Sequence, residues 1–234
     1  MNIHNQDKTK LVNSVFDKVY KNYDLMNDLM SFGVHRFWKK NLLAWMNPQV
    51  GNKVIDVASG TGDLAKIISE KNNNQNIIYC VEPNKGMLET GKAKLKSFSN
   101  IKWYRSSAEK LLFKDNSFDF YTISYGLRNV TDINSCLREA YRVLKPGGHF
   151  LCLEFSKVEN EILKLLYKKY SKLIPIFGKI IVGSAEPYEY LVNSIEKFYS
   201  QNDLSALLIN NNFSNVQFRN LSNGISAIHS GWKI

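Results

Sequence analysis

The chain has 234 residues, 44% hydrophobic and 22% charged, and 31 Lys and Arg against 21 Asp and Glu give a formal net charge of +10. This composition excludes a disordered chain, and the length allows one core without disulfides or a structural metal. The three cysteines are an odd number and indicate a reducing compartment. The basic charge predicts a nucleic-acid or anionic membrane partner, or reflects compositional drift, since 25 of the 31 basic residues are lysine and asparagine is also abundant.

The order of apolar segments predicts one α/β domain in four parts. Residues 1–50 show helical spacing up to Pro48 and form a helical cap, and residues 51–156 alternate apolar runs with helical stretches, which is typical of a parallel sheet. Residues 157–200 form a helical insertion, and residues 201–234 a final helix and strands. The predicted strands are Lys53 to Ala58, Ile77 to Val81, Ile101 to Arg105, Phe118 to Ser124 and His149 to Phe155, then the antiparallel pair Val216 to Arg219 and Ile225 to His229.

The insertion contains an amphipathic, basic segment from Glu161 to Val182, which we expect Pro175 and Gly178 to divide. Two interpretations stay open. The segment either docks at an anionic membrane surface or walls a substrate, or it is a lid whose apolar face packs on the sheet. The apolar face is predicted to hold Ile162, Leu166, Tyr170, Leu173 and Phe177, and the lysine face Lys164, Lys168 and Lys172.

The strongest local motif is the turn from the first strand into a helix, which reads VIDVASGTGDLA over residues 54–65. Gly60 and Gly62 allow a ligand to approach backbone N–H groups at the helix N-terminus. Such a pair is weak evidence alone, because any tight strand-to-helix turn favours it. Glu82 strengthens it, since a carboxylate at the end of the second strand accepts hydrogen bonds from both hydroxyls of a ribose.

The same turn also fits a dinucleotide fingerprint, Gly60-x-Gly62-x-x-Ala65, so a nicotinamide cofactor is an alternative. Asp56 in the strand and Asp63 at the helix start argue against it, because a pyrophosphate would meet carboxylate repulsion there. A ligand with a cationic end and a ribose suits these acids better. We therefore predict S-adenosylmethionine as the cofactor, and no metal.

Together with Ser107-Ala108-Glu109, Asp119 and residues 144–148 (LKPGG), these motifs resemble the class I S-adenosylmethionine-dependent methyltransferases. The resemblance implies a Rossmann-like sheet of seven strands, mostly parallel, with an antiparallel C-terminal strand. It also implies that the loop after the third strand contacts adenine and that the loop after the fourth borders the cofactor. The predicted cofactor-binding residues are Asp56, Gly60, Thr61, Gly62, Glu82, Ser107, Ala108 and Ser124.

Four longer segments resemble the UbiE family of quinone-biosynthesis methyltransferases. They are residues 23–38 (YDLMNDLMSFGVHRFW), 123–132 (ISYGLRNVTD), 142–156 (RVLKPGGHFLCLEFS) and 229–233 (HSGWK), and the similarity extends from Val12 to the C-terminus. It implies methylation of a ring carbon of a polyprenylated quinol, either a methoxy-benzoquinol, demethylmenaquinol or both. The chain departs from the family at Ser59, where a further glycine is frequent, and at Glu82, where bacterial members commonly have Asp.

Methylation of carbon needs electron density pushed into the ring, so the site needs a base or a fixed positive group near a quinol oxygen. Arg128 is the candidate catalytic residue, because a guanidinium stabilises a phenolate, and Asn129 is expected to orient the same oxygen. An Arg128 ion pair with Asp132 is the structural alternative. Among the predicted substrate-binding residues, His35 is a candidate base or a packed, capping histidine, and Tyr23 closes the site or belongs to the core of the cap.

The expected partners are the quinol, a membrane surface touched peripherally, and a quinone-biosynthesis complex or a second copy of the chain. No transit segment is visible, which favours a bacterial cytoplasmic enzyme, with membrane contact at the inner face. Two competing classes are an RNA methyltransferase, favoured only by net charge, and a non-catalytic scaffold. The complete cofactor loop, Arg128 and Asn129 argue against a scaffold.

Overall fold

A computed structural model describes residues 3–20, 28, 31 and 33–234. Its centre is a seven-stranded sheet in the order β3-β2-β1-β4-β5-β7-β6. β1 to β5 are parallel, and β7 is antiparallel to both β5 and β6, which confirms the predicted fold class. Strand order reverses between β1 and β4, where ligands bind in open α/β sheets. The strands are β1 Lys53–Val57, β2 Ile77–Val81, β3 Ile101–Tyr104, β4 Phe118–Ser124, β5 Leu144–Phe155, β6 Ser214–Leu221 and β7 Ser226–Trp232.

Helices cover both faces of the sheet, so the central strands are buried and read as apolar runs. Trp38 and Leu42 pack on one face with Leu151, whereas Leu137 and Phe150 belong to the core on the other face. The helices are α1 Ile3–Val19, α2 His35–Met46, α3 Asp63–Lys71, α4 Lys85–Lys94, α5 Ile133–Val143, α6 Glu161–Val182, α7 Glu186–Lys197 and α8 Gln201–Asn210, with a 3₁₀ turn at Leu127–Asn129.

β5 begins five residues earlier than predicted. Leu144 already pairs with Phe118, and the register then shifts so that Phe120 pairs with His149. The Pro146-Gly147-Gly148 segment lies inside this irregular stretch, where Gly147 has φ +78°. Proline and glycine, which indicate a turn in sequence, here mark a bulge within a strand.

The insertion differs from its prediction in two ways. α6 is one continuous helix with Pro175 inside it, so the expected division is wrong. Gly178 is a packing position: a Cβ there would lie 2.2 Å from the Tyr188 ring of α7. The interpretation in which the apolar face packs on the sheet does not hold for Ile162, Leu166 and Leu173, which are exposed, whereas Ile174 is buried. Within the described residues, no helix is both long enough and apolar enough to cross a bilayer.

Turns of the described chain use asparagine in place of glycine. Ten described residues other than glycine have positive φ, and seven of these are asparagine. Asparagine tolerates the left-handed conformation because its short side chain bonds locally to the backbone. The seven are Asn47, Asn73, Asn74, Asn116, Asn212, Asn215 and Asn223.

Candidate active site

The turn after β1 is built from backbone conformations that few residues adopt. Ala58, Gly60 and Gly62 have φ of +52°, +58° and +84°. At Gly62 a Cβ would lie 2.7 Å from Leu95 Cδ1 and 2.9 Å from the Trp103 ring, so both conformation and space require glycine. The chain then enters α3 at Asp63, beside the carboxyl end of β1.

Glu82 at the end of β2 is joined to this turn. One carboxylate oxygen accepts from the Gly60 N–H and the other from the Asn84 N–H, both at 2.9 Å. Burial raises the pKa of Glu82 to about 7, although these two hydrogen bonds favour the ionised form. Each carboxylate oxygen has a second lone pair, so Glu82 can accept from hydroxyls of a ligand while it holds the turn.

Asp56 and Ser124 present polar atoms that the protein does not satisfy. Asp56 Oδ1 accepts from the Thr122 hydroxyl at 2.7 Å, whereas Asp56 Oδ2 and Ser124 Oγ are buried and have no hydrogen-bond partner among the described residues. Burial raises the pKa of Asp56 to about 7. Buried polar atoms without a partner are rare and costly, and both residues line one small cavity. Its atoms suit a ligand that carries N–H donors and positive charge.

Lys39 and Asp63 also line this cavity, and they belong to a charged cluster that joins three helices. Asp63 lies 3.3 Å from Lys39 of α2 and 2.7 Å from Lys94 of α4. Burial alone would raise the pKa of Asp63, but the two lysines outweigh it and lower the pKa to about 2. Asp63 is therefore ionised at the helix N-terminus, where two lysines compensate its charge.

A second cavity lies on the other side of the turn, beneath α1. Ala58 and Tyr125 line both cavities and mark the boundary between them. Tyr125 shares the left-handed conformation of Ala58, with φ +56°. A Cβ on Gly126 would lie 2.5 Å from Ala58 Cβ, so the β1 and β4 loops approach closely at this boundary. The residues lining the second cavity include Val12, Phe16, Gly60, Glu82, Met87, Ser107, Ala108 and Asn129.

Arg128 is buried in an ion pair and lines neither cavity. Its Nη1 donates to Glu154 Oε1 at 2.7 Å and to the Tyr125 carbonyl at 2.6 Å. Glu154, at the end of β5, is 1% exposed, and its burial raises its pKa, opposed by Arg128. The expected alternative pairing is wrong, since Asp132 instead caps α5 by accepting from the Ser135 N–H. Arg128 lines a third groove, formed by α1, the 3₁₀ turn and α7.

Asn129 lines the second cavity and accepts a hydrogen bond from a residue of this groove. Its Oδ1 accepts from the Tyr190 hydroxyl of α7 at 3.1 Å, and its Nδ2 lies 3.4 Å from the Tyr125 carbonyl. The side-chain amide is thus held between α7 and the β4 loop. An amide fixed in this way can orient an oxygen of a bound acceptor.

The two cap residues have different outcomes. His35 is buried, and its Nδ1 lies 2.9 Å from the Ser31 hydroxyl, which also accepts from the His35 N–H. Burial, then Lys39, lowers its pKa to about 4, so it is neutral at pH 7. It lines neither cavity, its geometry is that of a packed histidine, and its substrate role stays a prediction. Tyr23 lies outside the described residues.

Several residues at the site were not predicted from the sequence. Lys39 and Tyr190 lie outside the motifs, and each reaches the site from a helix. Tyr125 lies within residues 123–132 but reaches the site through an unusual φ. Glu154 has a signal in the sequence, since it stands near the carboxyl end of a parallel strand, as Asp56, Glu82 and Ser124 do. Acidic residues at strand ends meet at one edge of such a sheet.

Comparison with known proteins identifies the family. The model of the ubiE/COQ5 methyltransferase family matches residues 2–233. The UbiE ubiquinone/menaquinone biosynthesis C-methyltransferase of Rickettsia prowazekii is 50% identical over 97% of this chain and 94% of its own. That of Brucella suis is 48% identical over 99% of this chain and 88% of its own.

Solved structures share the fold at much lower identity. A SAM-dependent methyltransferase from Thermotoga maritima, described as a possible histamine N-methyltransferase, superposes with a TM-score of 0.66 at 21% identity, covering 95% of this chain and all of that one. A Haemonchus contortus N-methyltransferase in complex with S-adenosylhomocysteine gives 0.69 at 12% identity, covering 95% and 60%. The match over almost every residue, at half identity to curated members, shows that this chain belongs to the ubiE/COQ5 methyltransferase family.

Proposed function

We propose that this enzyme methylates a ring carbon of a polyprenylated quinol in ubiquinone or menaquinone biosynthesis, with S-adenosylmethionine as donor. The observation that carries the proposal is the pair of cavities that meet at Ala58 and Tyr125. The small cavity offers hydrogen-bond acceptors and a negative charge for the amino acid end of the cofactor. The second cavity offers Glu82 for its ribose and Ser107 and Ala108 for its adenine. S-adenosylmethionine, when bound, supplies a methyl group on a sulfonium.

The residues on the cofactor side bind and orient. Asp56 Oδ2 and Ser124 Oγ, which lack partners among the described residues, are the groups that we assign to the ligand's amino acid end. Glu82, which the Gly60 N–H holds in place, and Thr61 contact the middle of the ligand, and Gly62 turns the chain. Because these groups are fixed by backbone and buried bonds, they need little rearrangement on binding.

On the acceptor side, we assign charge stabilisation to Arg128. A guanidinium stays protonated, so Arg128 acts by stabilising a phenolate on the quinol rather than by taking its proton. Glu154 fixes the guanidinium and is a positioning residue, and Asn129 orients the oxygen. The ring carbon would gain the methyl group as the carbon–sulfur bond breaks and leaves a thioether, and the ring hydrogen would then pass to solvent as a proton, which restores the aromatic ring.

The test is transfer of label from S-adenosylmethionine to reduced, short-tailed analogues of demethylmenaquinol and of the demethylated ubiquinone precursor. We expect transfer to at least one acceptor, and the preferred acceptor identifies the pathway. Glu82→Ala should weaken cofactor binding by about tenfold or more, since it removes charged hydrogen bonds. Arg128→Ala should slow turnover by about a hundredfold, as for other transition-state charge donors.

The matched controls are exposed residues of the same type, Glu89→Ala and Arg138→Ala, which should behave as wild type. Saturable cofactor binding with no transfer to either quinol would contradict the proposal. RNA-dependent transfer in the same assay would then identify the competing class. Equal turnover of the Arg128→Ala and Arg138→Ala variants would remove Arg128 from the chemistry.

A further inference from the structure

One helix carries much of the apolar surface that the protein leaves uncovered. Fourteen large hydrophobic side chains are exposed among the described residues, and five of them lie on α6. Their exposed fractions run from 47% at Leu173 to 74% at Ile162. The five are Ile162, Leu165, Leu166, Leu173 and Ile176, which we call the α6 stripe.

The α6 stripe follows one side of the helix. At 3.6 residues per turn, its five members fall within a sector about 100° wide and span about 21 Å along the axis. The side of α6 that packs on the protein is a different one, marked by Ile174, Ser171 and Gly178, which are buried. The stripe is therefore available while the helix stays docked on α7.

Basic side chains border the α6 stripe. The helix contains five lysines and one acidic residue, Glu161, and all five lysines are exposed. Lys164, which lies 3.1 Å from Glu161, is the one paired with an acid on this helix in the described contacts. Lys168, Lys172 and Lys179 stand next to the stripe on its open side, and Lys169 stands within it.

We propose that the α6 stripe is the surface by which this enzyme docks on an anionic lipid bilayer, with its apolar side chains among the acyl chains. Lys168, Lys172 and Lys179 then meet the lipid phosphates. The proposal goes beyond the methyl-transfer reaction and does not depend on it, since docking is a property of the surface alone.

Three observations favour a bilayer over a protein partner. Lys169 lies inside the stripe, where a protein interface would bury its charge, whereas at a bilayer its flexible stem lets the ammonium reach the headgroups. Lysine is depleted in protein interfaces. A second copy of the chain, also at +10, would bring like charges together. Apolar residues on one face and lysines beside them are the pattern of helices that lie in the membrane interface.

The experiment is co-sedimentation of the full-length protein, without substrate, with phosphatidylcholine vesicles that contain or lack phosphatidylglycerol, at low and at physiological salt. We expect binding that needs the anionic lipid and weakens with salt. The variant Ile162→Gln/Leu166→Gln/Leu173→Gln should bind at least about tenfold more weakly, since three apolar groups no longer enter the bilayer. Its control, Leu112→Gln/Ile209→Gln, alters exposed apolar residues elsewhere and should bind as wild type.

A second set tests the lysines with two variants that have the same net charge, three below that of the wild type. Lys168→Gln/Lys172→Gln/Lys179→Gln should lose roughly a hundredfold in affinity, at about fivefold for each lysine near the surface. Lys96→Gln/Lys110→Gln/Lys114→Gln removes the same charge from other exposed positions and should lose far less. Circular dichroism and thermal midpoints of all variants check that they are folded.

Three results would overturn the proposal. The first is no sedimentation of the wild type with anionic vesicles at low salt, and the second is equal binding by the stripe variant and its control. The third is that the wild type is a dimer in analytical ultracentrifugation and the stripe variant is a monomer. The stripe would then be the interface with a second copy of the chain. Cofactor binding, measured in parallel without lipid, keeps these outcomes separate from a failure of the methyl-transfer proposal.

Discussion

The carboxyl end of the sheet is built in two different ways on its two sides. Around β1 and β2, the site is formed mainly by the backbone. Residues at positive φ make the turn, and Glu82 holds it by accepting hydrogen bonds from two N–H groups. Around β4 and β5, the site is formed mainly by side chains, namely the buried Arg128–Glu154 ion pair and the hydrogen bond from Tyr190 to Asn129. The first arrangement suits a ligand that is always the same, and the second can adapt to an acceptor through side-chain changes alone.

The largest expected effect is on the β4–β5 side. Arg128→Met leaves the Glu154 carboxylate buried without its cation, which should cost about 3–5 kcal/mol of unfolding free energy. Adding Glu154→Gln removes the uncompensated charge and should recover most of that loss. Urea denaturation at pH 7 measures both.

An exposed arginine–carboxylate pair provides the control for this prediction. Arg36, which is paired with Asp28, is 61% exposed in its side chain, so Arg36→Met should cost less than about 1 kcal/mol. If the double variant is no more stable than Arg128→Met, the buried pair is not what distinguishes this side of the sheet.

The next effect lies at the boundary between the two sides. Gly126→Ala places a Cβ about where Ala58 Cβ stands, 2.5 Å away, and should cost about 1–3 kcal/mol as an overpacked contact. It should also weaken cofactor binding, because both cavities meet here. Adding Ala58→Gly removes the opposing methyl group and the strain of its positive φ, so the double variant should regain stability in thermal denaturation. Failure of that rescue would place the strain elsewhere.

A pH effect of intermediate size is specific to the β1–β2 side. Asp56 and Glu82 have pKa values of about 7, above the ordinary values of 3.8 and 4.5, because they are buried. Their contribution to stability is full below the ordinary values and is lost as pH rises through 7. Without cofactor, the unfolding free energy should fall by about 1 kcal/mol for each group between pH 6 and 8. Cofactor binding, which favours the ionised forms, should tighten over the same range.

Titration calorimetry at several pH values measures the binding, and chemical denaturation measures the stability. Glu82→Gln should reduce the pH dependence of both profiles by about half, since Asp56 still titrates, whereas the exposed control Glu89→Gln should leave them unchanged. Profiles that stay steep in Glu82→Gln would assign the titration to Asp56 alone.

The smallest expected effect is on turnover, in a variant that alters the orientation of the acceptor and leaves cofactor binding unchanged. Tyr190→Phe removes the hydroxyl that donates to Asn129 and should slow turnover by about two- to tenfold, as expected for one neutral hydrogen bond. The cofactor dissociation constant should not change. Tyr199→Phe is the control, since Tyr199 is exposed. A changed cofactor constant with normal turnover would contradict the separation of the two sides.

The two sides also differ in how far they could be predicted from sequence. β2 and β4 were predicted at their observed bounds, because strands buried in a parallel sheet appear as short apolar runs between helical stretches. The turn at Gly60 and Gly62 was predictable because its backbone angles demand glycine. Local sequence motifs are therefore enough to indicate the β1–β2 side, to which we assign the cofactor.

The remaining contacts join residues that no local pattern connects. Arg128 and Glu154 are 26 residues apart and meet because β4 and β5 are neighbours in the sheet, and Lys39 reaches Asp63 from a separate helix. Tyr125 takes a positive φ that nothing in its own identity indicates. The spacing of apolar residues correctly predicts that Ile162, Leu166 and Leu173 share one side of α6. The spacing alone does not say whether solvent or protein covers that side.

The asparagines at left-handed turns give the composition a thermodynamic meaning. An asparagine samples fewer backbone states than glycine in the unfolded chain, so each turn formed with it gives up less entropy on folding. Six of the seven positions lie outside helices and strands, and there the effect on the unfolded ensemble adds to the hydrogen bonds that Asn74 and Asn116 accept in the folded protein. The high asparagine content of the chain therefore favours the native state, because it reduces the backbone entropy lost when these turns form.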